Sequence, residues 1–278
     1  MIRFVGLGLS LEQLAIGAIL RLLKCRKVYI DVYTNLWFPS IDELARVLKE
    51  HGIDVIMAYR KDLEGYSISK IVREASEFDV CIATAGDPMI ATTHVAIAVE
   101  AARNGVELEI FPSTSILNAA MSLSCLQMYR FGKTVTVVKP KDGIVYEYPI
   151  HVIKINRSLG LHTLILLEVD IEKDYFMTPK DAITVLLYIQ RLLGEEVLSE
   201  DDVVVILKAI GSPKCEIKIR TIKEVLKEYF DKTVYTLIIP AKKLHSIEED
   251  CLRTIEKLKT YQTINVDTFR NIVKFMAI

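Results

Sequence analysis

Short apolar runs alternate with amphipathic stretches through the first part of the chain. Five runs rich in valine, isoleucine and phenylalanine predict buried strands, at residues 2–5, 27–32, 54–58, 80–83 and 107–111. The stretches that separate them predict helices, at residues 11–23, 41–51, 68–75 and 95–103. Strands that alternate with helices in this way form βαβ units, so the pattern predicts a parallel sheet.

Local signals mark where one of these helices begins and ends. Ser40 stands where a helix cap is expected, and Glu43 follows three residues later, which is the capping-box pattern. His51 and Gly52 end the same apolar periodicity, and a glycine is the commonest residue just beyond a helix. The sequence therefore predicts a helix that starts after Ser40 and stops near Gly52.

The pattern changes near Pro112. Further strands are predicted at residues 134–138, 162–169, 203–210, 217–219, 234–239 and 264–266, and helices at residues 113–128 and 179–193. Thr178 followed by Pro179 is a cap with a proline at the first helical position. Short connections predict a mixed or antiparallel sheet. We therefore expect an α/β fold with two domains, residues 1–112 with a mainly parallel sheet and residues 113–278 with a mixed sheet, and a ligand between them.

Composition and charge exclude several classes of protein. The 278 residues are 51% hydrophobic, which is enough for a sizeable core. The 35 Lys and Arg residues nearly balance the 36 Asp and Glu residues, for a net charge of -1. A general surface for nucleic acid or an anionic membrane is therefore not predicted. Met1 leads into glycines rather than a signal peptide, and no apolar run is long enough for a membrane span. We expect a soluble, cytoplasmic protein.

The cysteines and histidines show no metal-ligand spacing. The five cysteines are widely separated and form no Cys-x-x-Cys pair, so neither a zinc site nor a disulfide framework is predicted. Cys81 and Cys125 lie in apolar surroundings and are interpreted as core residues. The five histidines do not cluster with each other, with cysteine or with carboxylates. No metal site is predicted.

The stretch from Thr84 to His94 is the strongest candidate for a ligand loop. It leaves a predicted strand through Gly86, Asp87 and Pro88 and enters a predicted helix. In a parallel α/β sheet, this is where ligands bind. The alternative is an ordinary turn in which Asp87 and Thr92 serve as caps. The hydroxyl-rich stretch from Ser113 to Ser115, just past the fifth predicted strand, has the same two interpretations, as a ligand contact or an N-cap cluster.

A glycine pair after the first strand allows a different function. Gly6 and Gly8 could bring backbone amides close to a phosphate at a helix start, and Asp31 ends the second strand, where an acid would bind a ribose. The dinucleotide fingerprint needs a third small residue at position 11, which is a leucine here. A dehydrogenase that uses a nicotinamide cofactor, and a tight turn beside a solvated Asp31, are both left open.

Several motifs in a fixed order narrow the function further. Gly6-Leu7-Gly8-Leu9 is followed by Gly-Asp-Pro-Met-Ile-Ala-Thr-Thr-His at residues 86–94, by Ser115-Ile116, and by Gly-Leu-His-Thr-Leu at residues 160–164. This order resembles the diphthine synthases, the diphthamide-pathway methyltransferases of the tetrapyrrole methylase-like superfamily. The resemblance covers nearly the whole chain.

The resemblance implies a cofactor, a reaction and a set of contacts. It implies S-adenosylmethionine held in a cleft between two α/β domains, a homodimer, and methyl transfer to the amino group of a modified histidine on translation elongation factor 2, with S-adenosylhomocysteine as product. It names no catalytic residue. The implied cofactor contacts are Leu9, Asp87, Ile90, Ser115, Ile116, Leu167, Ile210 and Tyr235.

Two stretches depart from the family pattern, and other functions stay open beside it. The segment after Gly8 is shorter than usual, which affects the loop beside the cofactor, and Pro112-Ser113-Thr114 stands where the family has a sequence such as His-Asn-Ala. A tetrapyrrole would be the acceptor in the nearest alternative, and Ser115-Ile116 argues against it because those enzymes have a Pro-Gly-Val-Ser-like motif there. A module that binds the cofactor without turnover is the third alternative.

Overall fold

The chain folds into two compact units. The computed structural model describes residues 1–33, 36–257 and 266–276. The first unit extends from Met1 to Ile116 and includes the helix at residues 266–276; the second begins at Leu117 and holds the described residues up to Lys257. The first unit thus extends past the predicted division after residue 112, and the C-terminal helix lies in it rather than in the second domain.

A five-stranded parallel sheet forms the centre of the first unit. Its strands are β1 (Ile2–Gly6), β2 (Lys27–Asp31), β3 (Asp54–Ala58), β4 (Val80–Thr84) and β5 (Leu108–Phe111). Their order across the sheet is β3-β2-β4-β1-β5, and every neighbouring pair is parallel. The predicted parallel sheet is confirmed.

Helices cover both faces of this sheet. They are α1 (Ile16–Lys24), α2 (Ile41–Glu50), α3 (Arg60–Leu63), α4 (Ser67–Glu77) and α5 (Val95–Arg103). One core contains Val5 with residues of α1 and α2, and the other contains Ile2 and Phe4 with residues of α4 and α5. Because β1 is largely buried between these two cores, its sequence is apolar rather than alternating, apart from Arg3, which pairs with Asp79 and Glu109.

The predicted cap of α2 is confirmed. Ser40 Oγ accepts a hydrogen bond from the Asp42 amide at 3.2 Å, and Gly52 follows the helix with a φ of 78°. The Glu43 carboxylate binds Arg46 at 2.9 Å. The serine thus caps the helix, while the glutamate that suggested a capping box forms an ion pair one turn further along.

The second unit is built on a mixed sheet, as predicted. Its strands are β6 (Val135–Val137), β7 (Thr163–Leu167), β10 (Val203–Lys208), β11 (Glu216–Thr221) and β12 (Tyr235–Ile239), and β8 (Val169–Asp170) and β9 (Tyr175–Phe176) form a separate hairpin. The order across the sheet is β11-β10-β12-β7-β6; β6 and β7 are parallel and the other pairs are antiparallel. The helices that follow the first unit's α5 are α6 (Ile116–Ser124), α7 (Tyr148–Ser158), α8 (Pro179–Leu192), α9 (Ile222–Val225) and α10 (Ser246–Leu252), while α11 (Val266–Met276) belongs to the first unit.

Several predicted elements differ from the structure. The first helix begins at Ile16 rather than Leu11, because residues 11–13 form a 3-10 turn whose first amide donates to the Phe38 carbonyl at 2.8 Å. The strand predicted at residues 162–169 breaks after Leu167, and the helix α7 was not predicted. Residues 264 and 265 of the last predicted strand lie outside the described part of the chain, and its third residue, Val266, begins the helix α11 instead.

Two disulfides contradict the expectation that the cysteines form no disulfide framework, although Cys81 is a fully buried core residue as predicted and Cys125 is half-buried. Cys25 pairs with Cys81 in the first unit, and Cys125 pairs with Cys251 in the second, with Cα–Cα distances of 6.0 and 6.1 Å. The partners are 56 and 126 positions apart in the sequence. Spacing rules recognise cysteines that are close in sequence, so they gave no signal for these two pairs.

None of the helices in the described part of the chain has the length and apolar character that a membrane span requires.

Candidate functional site

Three loops of the first unit meet at one edge of the parallel sheet. β1 pairs on one side with β4 and on the other with β5, with Gly6 opposite Thr84 and Val5 opposite Phe111. Because the strands are parallel, the segments that follow them leave from the same edge. This is the edge at which α/β sheets bind ligands, and the motifs at residues 6–9, 86–94 and 113–116 all lie there.

Two glycines bind the first two loops together. The Gly8 amide donates to the Gly86 carbonyl at 3.3 Å, and the Gly86 amide donates to the Gly8 carbonyl at 2.7 Å. Their φ angles are 67° and 97°, values that side chains disfavour. Gly6 has a different reason to be glycine, because a Cβ there would lie 2.5 Å from Ser113 Cβ and 2.9 Å from the Gly86 carbonyl oxygen. The three loops are therefore in contact around Gly6.

The Asp87 carboxylate connects the second loop to the third. One oxygen accepts from the Met89 amide at 2.9 Å, and the other accepts from the Ser113 amide at 3.0 Å. The residue is 7% exposed. The bond to Met89 turns the loop after Pro88, and the bond to Ser113 fixes the segment that leads into α6. Asp87 thus holds the shape of this edge with both of its oxygens.

The other predicted contacts of the first unit lie around the same loops. Leu9 is buried, and a Cβ on Gly86 would be 3.7 Å from its Cδ2. The Leu9 amide donates to the Gln13 side chain at 3.0 Å. Ser115 is buried, Ile116 begins α6, and Ile90 is 39% exposed on the second loop. The structure therefore brings the loops that carry these five predicted residues to one edge of the sheet.

Asp31, the acid that a dinucleotide site would need, lies inside the unit. It is 2% exposed, and its Oδ2 lies 3.6 Å from His94 Nε2. His94 is itself completely buried, and its Nδ1 lies 3.0 Å from the Pro88 carbonyl oxygen. The interpretation of Asp31 as a solvated or ribose-binding acid is wrong, because the carboxylate faces a buried histidine under the second loop.

The three remaining predicted contacts share one edge of the second sheet. Leu167 ends β7, Tyr235 begins the antiparallel β12 beside it, and Ile210 follows β10, whose Lys208 pairs with Tyr235. The Tyr235 hydroxyl donates to the Asp231 carboxylate at 2.6 Å. Burial, followed by this hydrogen bond, raises the pKa of Tyr235. Tyr235 is therefore a neutral hydrogen-bond donor with its ring in the core.

A buried carboxylate organises the start of β7. Glu248 on α10 is completely buried and accepts from the Gln127 amide at 3.0 Å, the His245 amide at 2.9 Å and His162 Nε2 at 3.0 Å, and it also pairs with Arg130. The Ala241 amide donates to His162 Nδ1 at 2.9 Å, so His162 is a neutral imidazole with its proton on Nε2. His162, the histidine of Gly-Leu-His-Thr-Leu, is thus a structural residue.

This environment shifts the pKa values of both His162 and Glu248. Burial lowers the pKa of His162, and the neighbouring Glu248 only partly opposes this. Burial acts to raise the pKa of Glu248, but the hydrogen bonds from the His245 and Gln127 amides and from His162 outweigh it, so the pKa of Glu248 is lowered. The folded state therefore favours a neutral histidine beside an ionised glutamate.

Some features of the site had no signal in the sequence. The contact of Ser113 with Asp87 joins residues 26 positions apart, and the pairing of Asp31 with His94 joins two separate βα segments. Such contacts between buried side chains have no characteristic spacing, because they depend on which strands are neighbours. Within the described residues, no three His, Cys, Asp or Glu side chains are grouped to hold a metal ion.

Comparison with known proteins identifies the family. Residues 1–226 match the family of Tetrapyrrole (Corrin/Porphyrin) Methylases. The chain is 36% identical over 255 residues to a diphthine synthase of Methanococcus vannielii, covering 91% of this chain and 98% of that protein. It is 38% identical over 257 residues to a diphthine synthase of Staphylothermus marinus, covering 92% and 93%.

A solved structure shows the same similarity. A crystal structure of diphthine synthase superimposes with a TM-score of 0.80 at 32% identity, covering 92% of this chain and 96% of the other. Sequence and fold thus agree over the same extent of chain, and the resemblance proposed from the motifs is confirmed. The chain belongs to the tetrapyrrole methylase family of methyltransferases, in which it groups with the diphthine synthases.

Proposed function

We propose that the chain uses S-adenosylmethionine to methylate the amino group of a modified histidine on translation elongation factor 2, a step of diphthamide biosynthesis. The observation that carries the proposal is the meeting of the glycine turn at residues 6–8, the Gly-Asp-Pro loop and Ser113 at the ligand-binding edge of the first sheet. The relatives that match over nine tenths of the chain are named for diphthine synthesis.

The residues at this edge fit such a cofactor. Because Gly8 and Gly86 carry no side chains, a ligand can approach the backbone at this edge of the sheet. Both residues have positive φ angles. Ile90, on the second loop, supplies an exposed apolar surface. A cofactor with an amino acid, a ribose and a purine needs both kinds of contact. We propose Leu9, Asp87, Ile90, Ser115 and Ile116 as its contacts in the first unit, and Leu167, Ile210 and Tyr235 in the second.

The chemistry requires mainly positioning. When bound, S-adenosylmethionine would supply a methyl group whose carbon an amine lone pair attacks in line, so that a C–N bond forms as the C–S bond breaks and the electrons of that bond stay on sulfur. Because the sulfonium is a good leaving group, the residues of the chain contribute by holding the reactants in line. Asp87 does so indirectly, since its two amide contacts fix the loops that border the ligand.

Ligand-induced stabilisation tests the cofactor class. S-adenosylhomocysteine at about 100 times its dissociation constant adds roughly 2.7 kcal/mol to the stability of the folded state. At ~2–4 °C per kcal/mol, the unfolding midpoint should rise by several degrees. NAD at the same concentration serves as the matched control and should leave the midpoint unchanged. A rise with NAD alone would replace the methyltransferase proposal with the dehydrogenase alternative.

Transfer of a labelled methyl group tests the acceptor. Elongation factor 2 with the modified but unmethylated histidine should gain label, and mass spectrometry of the peptide gives the number of methyl groups added. The same factor with that histidine replaced by alanine is the control. Tight cofactor binding without labelling would favour the non-catalytic alternative, and labelling of a porphyrinogen instead would favour the tetrapyrrole one.

Replacing Asp87 by alanine should weaken the binding of S-adenosylhomocysteine about tenfold or more, the factor expected when a charged acceptor of two buried hydrogen bonds is lost. Titration calorimetry measures the affinity, and circular dichroism should stay unchanged. Asp42→Ala, at an exposed helix start of the same unit, is the control. Wild-type affinity in the Asp87 variant would remove Asp87 from the site.

Two further properties belong to the proposal. We propose a homodimer, which sedimentation equilibrium would reveal as twice the chain mass of 31.5 kDa. We also propose a cytoplasmic location, because elongation factor 2 acts in translation. A monomer at all accessible concentrations would contradict the first property, and secretion of the native protein the second.

A further inference from the structure

A histidine and an aspartate lie together beneath the second loop, and no step of the proposed reaction uses them. His94 precedes α5 and Asp31 ends β2. The His94 side chain is fully buried, with Nδ1 at 3.0 Å from the Pro88 carbonyl oxygen and at 3.4 Å from Thr84 Oγ1. A carbonyl oxygen only accepts, so Nδ1 carries a hydrogen and donates it to Pro88. His94 therefore holds the loop at Pro88.

The second ring nitrogen determines what holds the histidine. Nε2 is buried, has no hydrogen-bond partner among the described residues and lies 3.6 Å from Asp31 Oδ2. In a neutral ring with its hydrogen on Nδ1, Nε2 is an acceptor, and it would then face a carboxylate, which also only accepts. A buried acceptor without a donor is costly. One proton between His94 Nε2 and Asp31 Oδ2 converts the contact into a charge-assisted hydrogen bond.

We infer that Asp31 and His94 share one proton and act as a positioning pair that holds the Gly86–Ile90 loop through the Pro88 carbonyl. The inference rests on the proposed function only where it takes the Gly86–Ile90 loop to bind the cofactor. It assigns no chemistry to either residue. Asp31 holds the His94 ring against the sheet, and the His94 ring in turn holds the loop through its hydrogen bond to the Pro88 carbonyl.

Other charged groups near the pair already have partners of their own. Glu64, after α3, accepts from Thr93 Oγ1 at 2.9 Å and from the Tyr33 hydroxyl at 3.3 Å. Arg60 pairs with Glu64 at 3.3 Å and lies over the Tyr33 ring. The Tyr33 amide donates to Asp31 Oδ1 at 3.1 Å. From the loop itself, Asp87 directs both oxygens to Met89 and Ser113, and β1 and β4 contribute the uncharged Phe4 and Thr84.

Nitrogen-15 spectra of the imidazoles test the proton directly, without any ligand. In the wild type with the shared proton in place, both ring nitrogens of His94 should carry hydrogen, one facing the Pro88 carbonyl and the other facing Asp31. In Asp31→Asn, the amide can donate to Nε2, so only Nδ1 should carry hydrogen. His151, whose side chain is 45% exposed and which belongs to the second unit, is an internal reference that Asp31→Asn should leave unchanged. An Nε2 of His94 without hydrogen in the wild type would overturn the shared proton.

The pH dependence of cofactor affinity tests the positioning role. Wild-type affinity for S-adenosylhomocysteine should fall as pH rises and the shared proton is lost, whereas in Asp31→Asn it should be independent of pH. His94→Gln should bind about tenfold more weakly at every pH, as expected for loss of a charge-assisted bond. His151→Gln should behave as wild type. Parallel pH profiles for wild type and Asp31→Asn would overturn the positioning role.

The two experiments also separate this inference from the proposed function. A wild-type protein that does not bind S-adenosylhomocysteine at any pH would overturn the proposed function, and with it the role of the pair in cofactor binding. The spectra would still decide whether the proton is shared, since they are recorded without ligand.

Discussion

Glu248→Ala is expected to destabilise the chain by about 3–5 kcal/mol, the usual cost of removing one partner of a buried ion pair. The carboxylate is completely buried and is the common acceptor for two backbone amides, His162 and Arg130. Without it, the two amides lose their acceptor and Arg130 loses its buried counter-ion. Arg130 keeps its bonds to the Gly160 and Lys243 carbonyls, so the loss centres on α10 and the start of β7.

Chemical denaturation of the full chain measures this effect. Glu249→Ala is the matched control, because Glu249 is the next residue of the same helix and is exposed. Its change should stay within ~0.5 kcal/mol. Glu248→Gln, which keeps an acceptor of similar shape but loses the charge, should fall between the two. An effect of Glu248→Ala no larger than that of Glu249→Ala would show that the buried network contributes nothing to stability.

The same network predicts the direction of the pH dependence. The pKa values of His162 and Glu248 are both lowered in the folded state, so the unfolded chain binds more protons at acidic pH. The stability that these groups contribute is therefore present above their unfolded pKa values and is lost as pH falls, first below about 6.5 for the histidine. In Glu248→Ala, the part of this acid sensitivity that belongs to the carboxylate should disappear.

Gly6→Ala is expected to reduce the affinity for S-adenosylhomocysteine about a hundredfold, which corresponds to about 2.7 kcal/mol and lies within the ~1–3 kcal/mol that overpacking usually costs. The new Cβ would lie 2.5 Å from Ser113 Cβ and 2.9 Å from the Gly86 carbonyl oxygen. Neither atom is the end of a flexible side chain, so the backbone of one loop has to move. Movement of Ser113 or Gly86 would also disturb the Asp87 contact and the Gly8–Gly86 pair.

Calorimetric titration with S-adenosylhomocysteine, together with the unfolding midpoint, separates binding from folding. Gly105→Ala is the control, since it lies at the end of α5 with a φ of 68° and has open space around it. It should cost about 1 kcal/mol of stability because of its backbone conformation, and leave affinity unchanged. Equal affinities in the two variants would mean that the close approach at Gly6 plays no part in binding.

The central strands of the first unit, β1, β2 and β4, could be predicted because they are largely buried. The sequence of β4 is a continuous apolar run that ends in Thr84, and β1 is apolar apart from Arg3, whose side chain pairs with Asp79 and Glu109. Cap chemistry fixed the start of α2 at Ser40 and of α8 at Thr178, where the side chain also forms a capping box with Asp181. These signals are local and therefore appear in a single sequence.

What the sequence did not predict depends on contacts between distant segments. The helix α7 was missed because polar Asn156 lies on its buried face, whereas the apolar Tyr148 and Ile155 are exposed, which blurs the apolar periodicity. The two disulfides and the Asp31–His94 pair join residues that only the fold brings together. Asp31 was interpreted from its place at a strand end, which predicts its position but not the direction of its side chain.

Candidate contacts were predicted from motifs, and their geometry came from the sheet. The order β4-β1-β5 places the three motifs of the first unit at one edge, which no spacing rule gives. For Leu167, Ile210 and Tyr235, the antiparallel pairing of β7, β12 and β10 is responsible for their common edge. Their contact with the cofactor stays a prediction.

The position of α11 has a consequence for how the chain is synthesised. Phe269 and Val273 of this helix lie in the same core as Val5 and residues of α1 and α2, and Arg270 lies 3.7 Å from both Glu43 and Glu50 of α2. The ribosome makes these residues only after the whole second unit. At ordinary elongation rates, the delay after Ile116 is on the order of ten seconds. During that interval the nascent first unit has its sheet but an uncovered apolar surface, so chaperones that bind nascent chains would find their target there.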